Sequence, residues 1–154
     1  MTRLQLDPAD ASMLDGKQGR VLVPGLAAGP VMKLDGALSF WGGFNPENGE
    51  IIDVHHPQHQ QRVGKSILCI SQSRGSAGTP AAIAESLRNG SGPAAFVLAN
   101  VDINISVGVL VANRLYDLNI PVIEISTSQM AQIVNGSNVQ VGEGGSITVV
   151  HLGQ

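Results

Sequence analysis

The hydrophobic pattern of the N-terminal half consists of short apolar runs separated by Gly and Pro. Between Gly19 and Val54 these runs are Arg20–Val23, Pro30–Leu34, Ala37–Phe40 and Ile51–Val54. Runs of this length and punctuation predict β-strands joined by tight turns. Asn48-Gly49 suits a hairpin-like reversal, because both residue types tolerate positive φ. The N-terminal half is therefore predicted to be β-rich.

The second half alternates between buried apolar runs and helical stretches. The apolar runs are Ser66–Ser71, Ala94–Ala99 and Pro121–Ile125, and the helical stretches between them are Pro80–Arg88 and Ser106–Leu118. This alternation predicts βαβ units and a parallel sheet. A short helix around Ser128–Val134 and two strands, Val139–Val141 and Ser146–Val150, complete the prediction. The fold class is α/β, with a βαβ C-terminal half.

Local signals predict the ends of the helices. Thr79 is the expected N-cap of the first helix, with Pro80 at the first helical position and Gly90 just past its end. Asn119 is expected to stop the second helix. An apolar stripe on that helix is interpreted as core packing, and its members are Val107, Leu110, Val111 and Leu115.

Length and composition favour one domain. A chain of 154 residues leaves little room for two independent cores. Residues 1–18 show no sustained period and are predicted to be an N-terminal extension, followed by a domain over residues 19–154. Hydrophobic residues make up 43% and charged residues 14%, so the surface is thinly charged. We expect a partner to cover part of it.

Several classes of function are disfavoured by composition. The net charge is −3 and there is no run of Lys and Arg, so nucleic acid is not an expected ligand. No signal-peptide stretch and no run of roughly 18 apolar residues is seen, so a soluble, cytoplasmic protein without a membrane span is expected. The single cysteine, Cys69, excludes an internal disulfide and a self-contained iron–sulfur cluster, which needs several thiolates.

The segment Cys69–Pro80 carries the candidate chemistry. A hydrophobic strand leads into a loop of Ser, Arg and Gly that opens a helix, where N–H groups and the helix dipole favour anions. Such a loop lies at the carboxyl end of a strand, where open α/β sheets bind ligands. Gly75 and Gly78 permit close approach to the main chain, and Arg74 offers a fork for a carboxylate or phosphate. The pattern fits equally a plain turn that caps a helix.

Two further segments contain candidate residues. Gly42-Gly43, beside Trp41, fits a second loop that contacts substrate or a partner, and fits equally a glycine turn with a half-buried Trp. The histidines of residues 55–59 are not interpreted as a metal site, since neighbours in an extended segment point to opposite sides and no Cys or carboxylate has zinc-like spacing. Cys69, between Leu68 and Ile70, is interpreted as a small buried hydrophobe.

A series of segments in register from about Gly19 to Val150 carries a resemblance to a known family. They are Ser39-Phe40-Trp41-Gly42-Gly43, Asn45-Pro46-Glu47-Asn48-Gly49, Ile51-Ile52-Asp53, His56, Gly64-Lys65-Ser66-Ile67-Leu68 and Arg74-Gly75-Ser76. The sequence resembles the small subunit of the aconitase X family. The resemblance implies a swivelling β/β/α domain, like domain 4 of aconitase, that closes over a large subunit holding an iron–sulfur cluster.

The resemblance also implies an activity and residue roles. The activity would be a hydro-lyase that dehydrates a hydroxylated carboxylic acid, either cis-3-hydroxy-L-proline or 5-phosphomevalonate. The scarcity of Lys and Glu, unlike the hyperthermophile bias, favours cis-3-hydroxy-L-proline. Ser76 falls on the family's catalytic serine, and substrate contacts are expected from Arg74, Gly75, Ser73, Gly42 and Gly43. Asp53 and His56 match family positions and take either a structural or an active-site hydrogen-bonding role. The sequence departs from the family loop at Ser73, where a glycine is usual, and at Ala77-Gly78-Thr79-Pro80.

Two other functions compete with this interpretation. A phosphohistidine swivelling domain shares the architecture but needs a nucleophilic histidine in its glycine-rich loop, and residues 73–80 contain none. A non-catalytic domain that binds an anionic metabolite or a protein would use the same loop only as a capped turn.

Overall fold

The computed structural model describes residues 4–6 and 19–152. The strands are β1 Leu4–Leu6, β2 Arg20–Val23, β3 Ala27–Lys33, β4 Phe44–Asn45, β5 Glu50–Ile51, β6 Ile67–Ile70, β7 Ala95–Leu98, β8 Val122–Glu124, β9 Asn138–Val141 and β10 Ile147–Leu152. The helices are α1 Thr79–Arg88, α2 Ile103–Tyr116 and α3 Thr127–Gln132. None of these helices has the length and apolarity to cross a membrane.

One eight-stranded sheet, in the order β1-β10-β9-β3-β6-β7-β8-β2, dominates the fold. Strands β3, β6, β7 and β8 run parallel, with α1 and α2 as the crossovers between the last three. On its other side β3 pairs antiparallel with β9. Strand β3 therefore joins the parallel βαβ part to the antiparallel part, which confirms the predicted α/β class.

The central strands are buried on both faces, so their sequences are continuously apolar. Leu68 of β6 and Phe96 of β7 face α1 and α2 in one core cluster. Cys69 and Val97 alternate to the opposite face, where they meet α3 and the residues of β9 and β10 in a second cluster. The sheet thus curls so that its antiparallel part packs over its own centre. Helices, central strands and curled strands form the β/β/α layers that the resemblance implied.

The N-terminal half contains less regular strand than predicted. The hairpin at Asn48-Gly49 is confirmed: β4 and β5 pair antiparallel, and Gly49 has φ +76°. The run Ala37–Phe40 is not a strand, because after one bridge between Leu38 and Ser73 the chain turns at Gly42, which has φ +95°. The run Ile51–Val54 is a strand only as far as Ile51, and the chain then turns.

The helices confirm the predicted elements but correct their ends. Gly78, not Thr79, is the N-cap of α1, and no side chain caps this helix. Asp102 caps α2 by accepting the Asn104 N–H at 2.9 Å, so this helix begins three residues before Ser106. It ends at Asp117, whose φ of 54° is left-handed, and not at Asn119. A short polar side chain tolerates that conformation, so Asp117 can serve where glycine is usual.

The apolar stripe on α2 is not core packing, which corrects its interpretation. The side of α2 that packs on the sheet and on α1 is formed by Ile105, Val109 and the small residues Gly108 and Ala112, all buried. A Cβ at Gly108 would lie 2.9 Å from the Pro80 carbonyl oxygen, so the two helices cross closely there. The predicted stripe faces outward, with Leu110 50% and Leu115 67% exposed.

The predicted extension, residues 1–18, lies outside the described residues except for Leu4–Leu6. This segment pairs antiparallel with β10, with Leu4 opposite Leu152 and Leu6 opposite Val150.

Candidate active site

The loops that follow β3, β6 and β7 meet at the carboxyl edge of the parallel strands. A cavity of about 710 Å³ opens there. Its lining includes Ser73, Arg74 and Gly75 from the loop after β6, and Asp102 from the loop after β7. This edge is where open α/β sheets bind ligands, so the structure brings three of the predicted site residues to the expected place.

Two smaller cavities adjoin the first. One of about 400 Å³ is lined by Asp53, His56 and Arg74 among others. Another of about 260 Å³ is lined by residues that include Asp35 and Asn100. Ala37 borders all three cavities, so they lie side by side at this edge of the sheet, which we call the cleft.

Hydrogen bonds attach the loop after β6 to the segment after β3 and to the segment after β7. The Arg74 N–H donates to the Leu38 carbonyl at 3.2 Å. The Ser73 hydroxyl donates to Oδ2 of Asp102 at 2.6 Å. Asn100 Nδ2 donates to the Ser71 carbonyl at 2.6 Å. The loop is therefore held between the segment after β3 and the segment after β7, with its residues directed along the cleft.

Ser76 lies at the N-terminus of α1. Its Oγ accepts the Gly78 N–H at 3.2 Å, and its carbonyl accepts the Thr79 N–H at 3.1 Å. Negative charge on Oγ would thus be stabilised by an N–H group and by the helix dipole. The side chain is half-buried, and Ser76 is not among the residues that line the three cavities.

Arg74 is exposed and borders two of the cavities. Within residues 19–152 the ion pairs are Arg20–Glu124 at 3.1 Å and Arg88–Glu85 at 2.6 Å, and Arg74 belongs to neither. A guanidinium is a group that binds carboxylates and phosphates through two parallel hydrogen bonds.

His56 is hydrogen-bonded within the protein through both nitrogens of its ring. The buried ring accepts the Gln58 N–H on Nδ1 at 3.0 Å, so Nε2 carries the proton and donates to the Gly36 carbonyl at 3.1 Å. Both ring nitrogens are used, which leaves none to act as a base. Asp53 accepts the His55 N–H at 2.9 Å and borders the cleft beside Arg74.

Gln58 connects two segments beside the cleft by hydrogen bonds, although no pattern in the sequence predicted this role. This buried side chain donates to the Lys33 carbonyl at 2.8 Å and accepts the Asp35 N–H at 2.9 Å. It therefore joins the end of β3 to the turn that contains His56. The two hydrogen bonds connect residues 23 and 25 positions apart, and at this separation the local sequence pattern does not predict which residues meet.

Gly42 and Gly43 are not among the residues that line these cavities. Gly42 is exposed, and the Gly43 carbonyl accepts the Ile52 N–H at 3.0 Å. The adjacent Trp41 is 63% exposed, and its ring lies so close to Gly78 that a Cβ there would be 2.3 Å away. This glycine turn therefore places Trp41 against the N-cap of α1, next to Ser76.

The described residues do not fit an iron–sulfur cluster. No group of three or more His, Cys, Asp or Glu suited to a metal occurs among them. Cys69 is buried in β6, its Sγ lies 3.8 Å from the Ile67 carbonyl, and burial raises its pKa to about 12. A thiol of this kind is neither ionised nor accessible to iron.

The fold defines the class of protein: a curled β/β/α domain with a ligand cleft at the edge of its parallel strands. The sequence profile described as the aconitase X swivel domain matches residues 17–149. The chain belongs to this family. Among solved structures, Thermococcus kodakaraensis aconitase X in its holo-form matches with a TM-score of 0.77 and 24% identity over 87% of this chain and 97% of the other.

Relatives fall into two groups by their names. The cis-3-hydroxy-L-proline dehydratase of Hypocrea jecorina is 32% identical over 88% of this chain, and that of Pseudomonas aeruginosa is 35% identical over 67%. The phosphomevalonate dehydratase small subunit of Pyrococcus furiosus is 26% identical over 88%. The chain spans 23% and 18% of the length of the two hydroxyproline enzymes and 96% of that of the Pyrococcus small subunit.

Proposed function

We propose that this chain is the swivelling small subunit of an aconitase X-type hydro-lyase. The observation that carries the proposal is Ser76 Oγ at the N-terminus of α1, on an N–H donor at 3.2 Å, in a chain of the aconitase X swivel family. Ser76 acts as the general base in the dehydration of a hydroxylated carboxylic acid.

The reaction requires a serine that can hold negative charge. Ser76 Oγ takes the proton from the carbon next to the carboxylate, the pair of electrons forms the double bond, and hydroxide leaves from the neighbouring carbon, so that water is lost overall. A serine hydroxyl is a weak base in water. The Gly78 N–H and the dipole of α1 stabilise its alkoxide by the reasoning that applies to an oxyanion hole. Arg74 holds the substrate carboxylate in the cleft.

The proposed substrate is cis-3-hydroxy-L-proline, with 5-phosphomevalonate as the alternative. Relatives named for the first are 32% and 35% identical over 88% and 67% of this chain. Of those named for the second, the small subunit of Methanothermobacter thermautotrophicus is 33% identical over 60% and that of Pyrococcus furiosus 26% over 88%, so the hydroxyproline enzymes combine this level of identity with the longer match. The chain is also poor in Lys and Glu, unlike proteins with the hyperthermophile bias.

The rest of the enzyme lies on a large subunit, in the cytoplasm, and we place the iron–sulfur cluster there because the described residues cannot hold one. An uncovered apolar surface on α2 supports such a partner, since exposed apolar patches mark interaction sites. It consists of Ile103, Val107, Leu110, Val111 and Leu115, which are 42–71% exposed. Ile103 also borders the cavity of about 710 Å³, so a partner bound to this surface would reach the edge of the cleft.

The test is Ser76→Ala in the complex of this chain with its large subunit. Turnover of cis-3-hydroxy-L-proline should fall at least about a hundredfold, because general-base catalysis contributes that much or more. The complex should form as before, since the Ser76 side chain makes one weak hydrogen bond inside its own loop.

Ser39→Ala is the matched control. Ser39 lies in the segment before Trp41, and its hydroxyl donates to the Trp41 carbonyl at 2.9 Å. Ser39→Ala therefore removes the same Oγ atom from a serine that does not line the three cavities. Its activity should stay within a few fold of the unsubstituted enzyme. Near-normal turnover by Ser76→Ala would overturn the assignment of the base. A large-subunit complex that dehydrates only 5-phosphomevalonate would transfer the same mechanism to the alternative substrate.

A further inference from the structure

Asp102 stands in the cleft beside the loop of Ser76, and the proposed chemistry does not use it. It borders the same cavity of about 710 Å³ as Arg74. Each of its two carboxylate oxygens accepts one hydrogen bond, Oδ1 from the Asn104 N–H at 2.9 Å and Oδ2 from the Ser73 hydroxyl at 2.6 Å. The carboxylate is thereby fixed in position at the wall of the cavity.

This carboxylate retains capacity for a ligand. An ionised carboxylate offers about four acceptor sites, and the two protein donors occupy one on each oxygen. Within residues 19–152 no ion pair includes Asp102, since the two pairs there are Arg20–Glu124 and Arg88–Glu85. A cationic donor in the cavity would therefore form a charge-assisted hydrogen bond with a preorganised acceptor.

The charges around the cleft favour a zwitterion over a polyanion. Arg74 supplies one positive charge to the cavity of about 710 Å³ and Asp102 one negative charge. Asp35 and Asp53 add negative charge at the two adjoining cavities. An amino acid presents one carboxylate and one ammonium group, which match this pair, whereas a phosphorylated acid would place further negative charge beside Asp102.

We propose that Asp102, held by Ser73, is the residue that selects substrates carrying an ammonium group. Its carboxylate binds the cationic nitrogen of a hydroxylated amino acid while Arg74 binds the carboxylate, and it disfavours phosphorylated hydroxy acids. The inference rests on the proposed hydro-lyase function and adds a specificity determinant to it. Ser73, at a position where the aconitase X family usually has glycine, then holds the Asp102 carboxylate in place and does not itself contact the substrate.

The test is Asp102→Asn in the complex with the large subunit. Asparagine caps helices as well as aspartate does and can pair with the Ser73 hydroxyl, so the fold is retained while the charge is lost. The KM for cis-3-hydroxy-L-proline should rise about ten- to a hundredfold, the range of a hydrogen bond to a charged group, with a much smaller change in kcat. Ser73→Gly should raise the KM less.

Two controls separate recognition of the ammonium group from a general effect. Asp117→Asn removes the same charge at the other end of α2, away from the cleft, and should leave the KM unchanged. N-Acetyl-cis-3-hydroxy-L-proline lacks the cationic nitrogen. As a competitive inhibitor it should lose no affinity in Asp102→Asn, although the amino acid does.

The possible outcomes are distinguishable. If the unsubstituted complex dehydrates cis-3-hydroxy-L-proline and Asp102→Asn keeps its KM, only this inference fails. An equal rise in KM for Asp117→Asn would also overturn it. If the unsubstituted complex dehydrates 5-phosphomevalonate instead, the hydro-lyase function stands and the selection of an ammonium group is wrong. Turnover of neither compound would overturn both proposals.

Discussion

Cys69 shows how strongly the interior of the sheet controls one side chain. It is 1% exposed at the centre of β6, and burial raises the pKa of its thiol from an ordinary 9.0 to about 12, with a smaller opposing effect from Lys33. Burial penalises the charged thiolate far more than the neutral thiol. The thiol therefore stays protonated at all physiological pH values.

This shift predicts a pH dependence of folding stability. Above pH 9 the thiol of the unfolded chain loses its proton, whereas the folded chain keeps it up to about 12, so the unfolded state binds fewer protons and stability falls as pH rises. Between pH 7 and pH 10 the free energy of unfolding should fall by about 1.4 kcal/mol more in the unsubstituted chain than in Cys69→Ala. Urea titrations at the two pH values measure the difference. Parallel pH dependences would contradict a buried, neutral thiol.

At the residue scale, the sequence identified groups but not their partners. Ser73 and Arg74 reach the cleft as predicted, because a loop after a parallel strand can only open at that edge. The Ser73–Asp102 hydrogen bond joins positions 29 apart and depends on the order of the strands. The hydrogen bonds on the two ring nitrogens of His56 likewise join it to residues that the sequence pattern does not indicate.

At the scale of elements, the strand and helix patterns predicted the βαβ half well and its boundaries less well. Period and punctuation located β6, α1, β7 and β8, since these elements are continuous apolar runs or have strong end signals. The interpretation of the α2 stripe as core packing was wrong, because it assumed that the large aliphatic residues face the core. The close crossing of α1 at Gly108 instead selects the face of α2 with the small residues.

The contact between Trp41 and the start of α1 predicts an effect on fluorescence. In Gly78→Ala the new methyl group would overlap the indole ring, and because Trp41 is 63% exposed the ring can move out into water. The backbone at Gly78, with φ −82° and ψ −11°, accepts alanine without strain. The emission maximum of the chain's only tryptophan should shift to longer wavelength.

Gly75→Ala provides the comparison for this shift. Its added Cβ would have only Asn104 Nδ2 within reach, at 4.0 Å, and Trp41 is not among its near neighbours. The emission spectrum should match that of the unsubstituted chain. An unshifted spectrum in Gly78→Ala would show that the ring does not rest on the N-cap of α1.

At the scale of the whole molecule, the parallel part and the antiparallel part of the fold share one sheet. Strand β3 is the seam, because it pairs with β6 on one side and with β9 on the other. The sequence predicted strands on either side of this seam but not their order, since β9 follows β3 by about a hundred residues and strand pairing at such separation leaves no local pattern.

Because β3 joins them, we expect the parallel and antiparallel parts to unfold in one transition, as most single domains of this size do. Trp41 fluorescence follows the layer that bears the cleft, because the ring packs on the start of α1, whereas far-UV circular dichroism follows the helices and strands of both parts. Their denaturation midpoints should coincide. Gly29→Ala in β3 places a Cβ 2.7 Å from the Lys65 carbonyl oxygen, just before β6, and should lower both midpoints equally. A variant in which only one signal shifts would mean that β3 does not couple the curled strands to the layer that bears the cleft, and the swivelling unit would then be smaller than the whole sheet.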